Sequence, residues 1–265
     1  MASTWSGTAA AYEASFARVC AGIIPALLEF IGRSAAPGSR MLDVGTGTGA
    51  VATVTALEGL QVDAVDSEPT MCGYARNQHP LSHIAFSLGR LPNLDCASGT
   101  FEALVANFVV NHTVDPLAAM AEIGRIMAPG APMGVTIWPS EISPMNALWN
   151  LVMESAGAIR PTGMRLVPEE GFARTPAGLK SIIAEGNFDE IYVFELCGTF
   201  RITPSDLWRA PLAEIAIIGE TYESQDAATK VRMQEAFSEL SKPLLVDAGL
   251  ALSSTAIIAT ALRAR

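Results

Sequence analysis

The sequence predicts an α/β protein: a mostly parallel sheet of seven strands with helices on both faces and a helical cap. Three observations predict it. Short apolar runs alternate with helix-length segments from Arg40 to Trp138, the pattern of successive parallel strands joined by helical crossovers. A glycine-rich turn, Gly45 to Gly49, separates the first of these runs from the helix after it. Half of the 265 residues are apolar (50%), enough for one sizeable core in preference to two independent ones.

The elements follow in order. Near the start, Tyr12, Phe16, Val19, Ile23 and Leu27 recur three and four residues apart, as on one face of a helix or of two helices meeting at Pro25. Arg40 to Val44 (RMLDV) reads as the first strand, and AVATVTALEG as a helix with Gly59 beyond its end. Val62 to Val65 is the second strand, Pro69 opens a helix that runs to about Asn77, and Ile84 to Ser87 is the third strand. Phe101 to Val110 (FEALVANFVV) is a buried fourth strand with its exit, Leu117 to Met127 a helix, and Met133 to Trp138 the fifth strand. After Trp138 the texture changes, because Pro139, Pro144, Pro161, Pro168 and Pro176 punctuate a stretch containing Met and Trp. Ser140 to Phe188 is therefore expected to be a helical insertion plus one sheet-covering helix, before a strand near Glu190 to Phe200. A second insertion, Thr203 to about Leu250, is expected to hold helices over Leu207–Tyr222 and Ala228–Leu240, ahead of a last strand around Ser254–Leu262. The resulting organisation is one domain, with a core of about 35–138, 175–202 and 251–265 and a cap from 1–32, 139–174 and 203–250.

Charge and composition exclude several classes. Seventeen Lys plus Arg stand against 27 Asp plus Glu, a formal charge of -10 that suits a nucleic-acid backbone poorly. Cys20, Cys72, Cys96 and Cys197 form no CxxC pair, so neither a zinc cluster nor a disulfide scaffold is expected. No HExxH, DxxD, GxSxG or GxxxxGK[ST] pattern occurs, and no metal is expected. No basic residue precedes Arg18, and the apolar run Cys20 to Ile31 contains Pro25 and Glu29 and is too short to cross a bilayer. A cytoplasmic protein without a membrane span is expected, acting on a small molecule; a homo-oligomer is compatible with all of this.

The most specific signal is Asp43-Val44-Gly45-Thr46-Gly47-Thr48-Gly49, between a predicted strand and a predicted helix. Glycines there let the backbone turn sharply and let a ligand approach closely, while the helix N-terminus offers N–H groups to an anion such as a carboxylate. The bland reading is a merely tight turn. Gly45, Gly47 and Ala50 also fit GxGxxA, the loop of dinucleotide-dependent oxidoreductases. Two features point away from that: Asp43 stands two places before the first glycine, and a third glycine falls at the fifth place, not the sixth.

With those features the sequence resembles the class I S-adenosylmethionine-dependent methyltransferases, whose first motif has this acidic residue and this GxGxG run. The resemblance implies a Rossmann-like fold and S-adenosyl-L-methionine held by Asp43, Gly45, Thr46, Gly47 and Gly49. It continues at Asp66 in VDAVDSEPTM, where the family places a carboxylate that accepts both ribose hydroxyls; a helix N-terminal acid is the plainer alternative. In the family pattern Ser67 begins the next helix and Met71 packs near the adenine. The segment SLGRLPNLDCASGTFEALVANFVVNHTVDP is similar to the family's third and fourth motifs as they occur in the ubiquinone/menaquinone C-methyltransferase-like branch. It departs in one place, since Ser87, followed by Leu88, stands where an acid commonly meets the adenine amine. Asn107 and Phe108 match the position beside the methionine part of the cofactor. The resemblance covers about Met41 to Trp138 and fades afterwards.

Outside the cofactor set, His112 follows the fourth strand and is the candidate general base for an oxygen or nitrogen nucleophile; the alternative is support of the Asp115-Pro116 turn. A carbon acceptor would need little or no base. His79 and His83 flank Pro80 in an expected surface loop. Tyr12, with Phe16, is a candidate aromatic lid over the cofactor, against ordinary core packing. Trp138, Met145, Leu148, Trp149, Met153, Met164 and Trp208 are candidates to line an apolar substrate cavity, with core packing again the alternative. The function these residues imply is methyl transfer to O, N or C of a small, largely apolar natural product or quinone-like compound. The alternatives are a cofactor-retaining cyclase, a non-catalytic binding protein and an NAD(P)-dependent oxidoreductase.

Overall fold

The structure, a computed structural model, describes residues 5–161 and 171–265. Its strands are β1 (Arg40–Val44), β2 (Gln61–Asp66), β3 (Ile84–Leu88), β4 (Ala103–Asn107), β5 (Pro132–Ile137), β6 (Phe188–Ile202), β7 (Leu245–Val246) and β8 (Gly249–Arg263). They form one eight-stranded sheet in the order β3-β2-β1-β4-β5-β8-β6, with β7 paired to β8. β1 to β5 are mutually parallel and β8 runs antiparallel to β5. Seven of these strands were expected. The eighth, β7, is a two-residue turn-back onto the start of β8, too short to leave a pattern in sequence. The fourth strand ends at Asn107, three residues before the end of its apolar run, because Phe108 turns to a positive φ of 57°.

The chain divides into two compact units. One contains the described residues within 23–140, 169–196 and 256–265; the other contains those within 1–22, 141–168 and 197–255.

In the first unit the central strands are apolar on both faces and correspondingly buried: every residue of β5 and all but the first of β1. Phe101, Leu104, Met120, Ile123, Ile126, Met133 and Ile137 are fully buried and share one cluster with Leu179, Ile183 and Ile257. Helix Ile24–Ser34, expected within the cap, instead packs on β5, where Leu27 lies against Gly134. Pro25 does not break a helix here; it occupies this helix's first turn, where no backbone donor is needed. The breaks fall at Ser15 and Gly22, which end the short helices Ala9–Ala14 and Phe16–Ala21.

Helices Pro116–Ile126 and Pro176–Glu185 pack together. Gly124 permits this, because a Cβ on it would stand 2.2 Å from the carbonyl oxygen of Gly186. Gly124→Ala is expected to lower stability by about 1–3 kcal/mol, although alanine is the better helix former, since a backbone oxygen cannot move aside as a side chain can. Urea unfolding measures it; an unchanged or higher midpoint would mean that the two helices separate freely.

In the second unit, helix Pro144–Ala156 packs on helix Ala227–Ser241. Their contact carries an aromatic cluster: Trp149 is stacked on Phe237 with centroids 5.1 Å apart, and Trp208 lies 4.9 Å from Phe237 and edge-on to Tyr222. The single helix expected over Leu207–Tyr222 is three short ones, Pro204–Leu207, Arg209–Leu212 and Ala216–Glu223. Pro211 lacks a donor, and Glu214 and Ala216 take positive φ, so the intrahelical ladder cannot run through.

Candidate functional site

Because β1 to β5 are parallel, their carboxyl ends open on one edge of the sheet, the edge where open α/β sheets take ligands. The glycine loop leaves β1 there. Gly45, Gly47 and Gly49 have φ of 66°, 54° and 92°, a left-handed conformation that side-chain-bearing residues rarely adopt. At Gly45 space is the second constraint, for a Cβ would lie 2.4 Å from a methyl carbon of Val109. Helix Ala50–Leu57 follows directly, with Gly49 at its N-cap.

Two carboxylates hold this loop. Asp43 is 1% exposed, and its Oδ2 accepts from the Thr46 hydroxyl at 2.7 Å and from the Ala52 amide at 3.1 Å. Burial pushes its carboxyl up to about 7, the two hydrogen bonds opposing that shift and the nearby Asp66 adding to it. The folded value is therefore above the unfolded one, and the folded chain binds this proton more tightly. Stability from this group is fully present below about pH 4 and is lost as pH rises through about 7, a decline on the order of 4 kcal/mol. In Asp43→Asn, one oxygen can still take both hydrogen bonds. The expected outcome is that urea midpoints of the unmodified protein fall across that window while those of the variant flatten; parallel curves would show that Asp43 is not the titrating group.

Asp66, at the end of β2, joins the loop to the next helix. Its Oδ2 accepts from the Gly47 amide at 2.9 Å and its Oδ1 from the Glu68 amide at 2.9 Å. Burial is the main influence raising its carboxyl above the usual range, and these amides oppose it. Helix Pro69–Gln78 is capped by the side chain of Glu68, 5% exposed, and not by Ser67, which the family pattern placed at the helix start and which is exposed. Met71 is buried in that helix, while Ser87 and Leu88 end β3 with exposed side chains, Leu88 at 62%.

At the end of β4, the Thr136 hydroxyl of β5 donates to Asn107 Oδ1 at 2.7 Å and accepts from the Phe108 amide at 2.9 Å. The Phe108 amide also lies 3.1 Å from the Thr136 carbonyl. These bonds hold Phe108 in its positive-φ turn, and its ring stacks on Trp138 with centroids 3.8 Å apart. His112 closes the short 3-10 turn Val110–His112 with part of its surface exposed; protein atoms crowding its ring and, second, the Arg174 guanidinium hold the imidazole below the ordinary range.

The sheet unit thus gathers Asp43, Gly45, Thr46, Gly47, Gly49, Asp66, Ser67, Met71, Ser87, Leu88, Asn107, Phe108, His112 and Trp138 at or next to one strand edge. The remaining candidates belong to the other unit. There the Tyr12 hydroxyl is 3.6 Å from Cys20 Sγ and its ring is edge-on to Trp5. Trp149, Met153 and Trp208 are buried, and Met145 packs partly buried beside them. Met164 lies outside the described residues. Among the described residues no cluster of His, Cys, Asp and Glu is arranged to hold a metal, and no helix is long and apolar enough to cross a membrane.

Sequence reasoning missed Glu68, Val109 and Thr136. A signal existed for Thr136, a hydroxyl in the otherwise apolar strand PMGVTI that had to find a partner once buried. Val109 carried none, since its importance is its proximity to Gly45.

A mostly parallel sheet with a glycine loop after β1 and a carboxylate at the end of β2 is the arrangement of a Rossmann-like α/β fold. Comparison with known proteins narrows this. Residues 42–133 match the family model described as a methyltransferase domain. A ubiquinone biosynthesis O-methyltransferase of Xanthomonas campestris is 30% identical over 149 residues, covering 55% of this chain and 59% of that protein. A demethylmenaquinone methyltransferase of Beutenbergia cavernae is 28% identical over 131 residues, covering 49% and 53%. A solved phosphoethanolamine N-methyltransferase of Haemonchus contortus, in complex with S-adenosylhomocysteine, shares the fold with a TM-score of 0.55 at 18% identity, covering 92% of this chain and 53% of that one. Residues 42–133 are thus a methyltransferase domain, similar in sequence to those two quinone-pathway methyltransferases. The chain spans between half and three-fifths of the length of the two quinone-pathway relatives.

Proposed function

We propose that the protein transfers a methyl group from S-adenosylmethionine to O, N or C of a small, largely apolar molecule, a natural product or quinone-like compound. The observation that carries this reading is the Asp66 carboxylate bonded to the Gly47 amide. Each of its oxygens accepts one amide, which leaves each a further lone pair for one of two adjacent ribose hydroxyls. The names of the quinone-pathway relatives support the substrate class.

When bound, the cofactor supplies an electrophilic methyl group on a positive sulfonium. The chain's residues do the rest. Asp66 orients the ribose, the glycine loop admits the methionyl end without a Cβ in the way, and Asn107, Phe108 and Trp138 form the wall at the end of β4 and β5. Methyl transfer to oxygen or nitrogen releases one proton. His112, whose imidazole is held below its ordinary range, is the residue proposed to take it, and His112→Ala is expected to lower kcat roughly 10²-fold or more for such an acceptor. An unchanged kcat would demote it to supporting its turn.

Parallel calorimetric titrations with S-adenosylmethionine, S-adenosylhomocysteine and NAD(H) test the reading. Binding of the first two alone is expected, followed by formation of S-adenosylhomocysteine with hydroxylated or quinonoid acceptors. Binding of NAD(H) instead would overturn it. Cofactor binding without turnover on any acceptor would point to a cofactor-retaining cyclase or a binding protein.

A further inference from the structure

Among the described residues, every lysine and arginine is exposed except Arg174, Lys230 and Arg263, which are half-buried. Lys230 pairs with Glu223, and Arg263 donates to the carbonyls of Gly124 and Asn187. Arg174 differs: its guanidinium meets no acid and donates no hydrogen bond among the described residues. An exposed arginine needs no partner, because water serves its five N–H groups. A half-buried one has given up part of that water, and in a chain with a formal charge of -10 an acidic partner is easily found. The cation left unpaired is also accessible, since the residue keeps part of its surface open.

Its place in the sheet unit is fixed from two sides. The Arg174 carbonyl accepts from the Ser140 amide at 3.2 Å, two residues beyond Trp138 at the exit of β5. Three residues earlier, Gly171 lies against Pro116, where an added Cβ would stand 2.8 Å from the proline ring. Pro116 opens the helix that follows the His112 turn, and the Arg174 charge is felt at the His112 imidazole, where burial is the larger influence. Arg174 thus stands on the ligand-binding edge of the sheet, beside the proposed base. A guanidinium is a planar fork that matches the two oxygens of one carboxylate. A phosphate dianion calls for more positive charge than this site has, because the next helix is capped by an acid, Asp115. A bound carboxylate also offsets the charge that opposes protonation of His112.

We propose that Arg174 determines specificity by binding a carboxylate of the methyl acceptor through two parallel N–H···O bonds, so that the acceptor is an apolar body carrying one acid group. The inference rests on the methyltransferase reading above. It is tested by calorimetry on the full chain saturated with S-adenosylhomocysteine, titrated with a hydroxynaphthoic acid bearing its two groups on opposite rings and with the matching uncharged hydroxynaphthamide. The unmodified protein is expected to bind the acid roughly 10-fold or more tightly than the amide. Arg174→Gln is expected to lose roughly 10- to 100-fold for the acid, the usual worth of a charged hydrogen bond, and less than about twofold for the amide. Arg174→Lys, which keeps the charge without the fork, is expected to fall between the two. Equal affinity of the unmodified protein for acid and amide, binding of neither, or a preference for the acid that survives in Arg174→Gln would overturn the proposal. Equal losses for both probes in that variant would do so by assigning Arg174 a structural role. If S-adenosylhomocysteine itself does not bind the unmodified protein, the methyltransferase reading fails instead, an outcome visible before any probe is added.

Discussion

Gly45→Ala is expected to destabilise the protein by about 2–5 kcal/mol and to abolish tight binding at the glycine loop. Two costs combine. The left-handed backbone at φ 66° disfavours an L side chain by roughly 1–2 kcal/mol, and the added methyl would meet Val109 at 2.4 Å, an overlap typically worth 1–3 kcal/mol. The second cost belongs to a pair, so it is separable. Val109→Ala introduced into the Gly45→Ala background should recover the steric share while leaving the conformational share, giving a coupling of about 1 kcal/mol or more in a double-mutant cycle by urea unfolding. A double variant no more stable than Gly45→Ala would show that Val109 is not the obstacle.

Asp66→Ala is expected to weaken S-adenosylmethionine binding by roughly 1.5–3 kcal/mol, about 10- to 100-fold in Kd. The loss has two sources. The carboxylate proposed to receive the ribose is gone, and the Gly47 and Glu68 amides lose their acceptor, so the loop and the following helix are no longer tied to each other. Asp66→Asn separates the two: its remaining side-chain oxygen can keep one amide bond, but it offers fewer lone pairs to the hydroxyls. Calorimetry on both variants reads the difference, and unchanged affinity in Asp66→Ala would mean the ribose is held elsewhere.

Much of the core was legible because its signals are local. Five helices begin with a capping side chain directly followed by proline: Glu68-Pro69, Asp115-Pro116, Ser143-Pro144, Thr175-Pro176 and Thr203-Pro204. Strands β1, β4 and β5 are apolar runs of the length a sheet buried on both faces demands. What escaped was decided by neighbours distant in sequence or by backbone conformations that non-glycine residues only sometimes adopt. Nothing around Phe108 announces its left-handed turn, which is held from β5 by Thr136. The break-up of 204–223 depends on positive φ at Glu214 and Ala216, residues with no propensity for it. At the site, Asp43, Asp66 and the glycines were visible as a motif. Glu68 was not, because an acid two places after Asp66 looks like an ordinary surface residue until its burial is known.

The bond from the Gly47 amide to Asp66 also bears on the order of events in binding. Both ends of it are made by the protein alone, so the loop proposed to face the nucleoside needs nothing from a ligand to complete it. An arriving nucleoside then meets a finished cradle and has little backbone entropy left to remove. Association should accordingly be a single diffusional encounter at this loop, with a rate proportional to ligand concentration and no slower ordering step behind it.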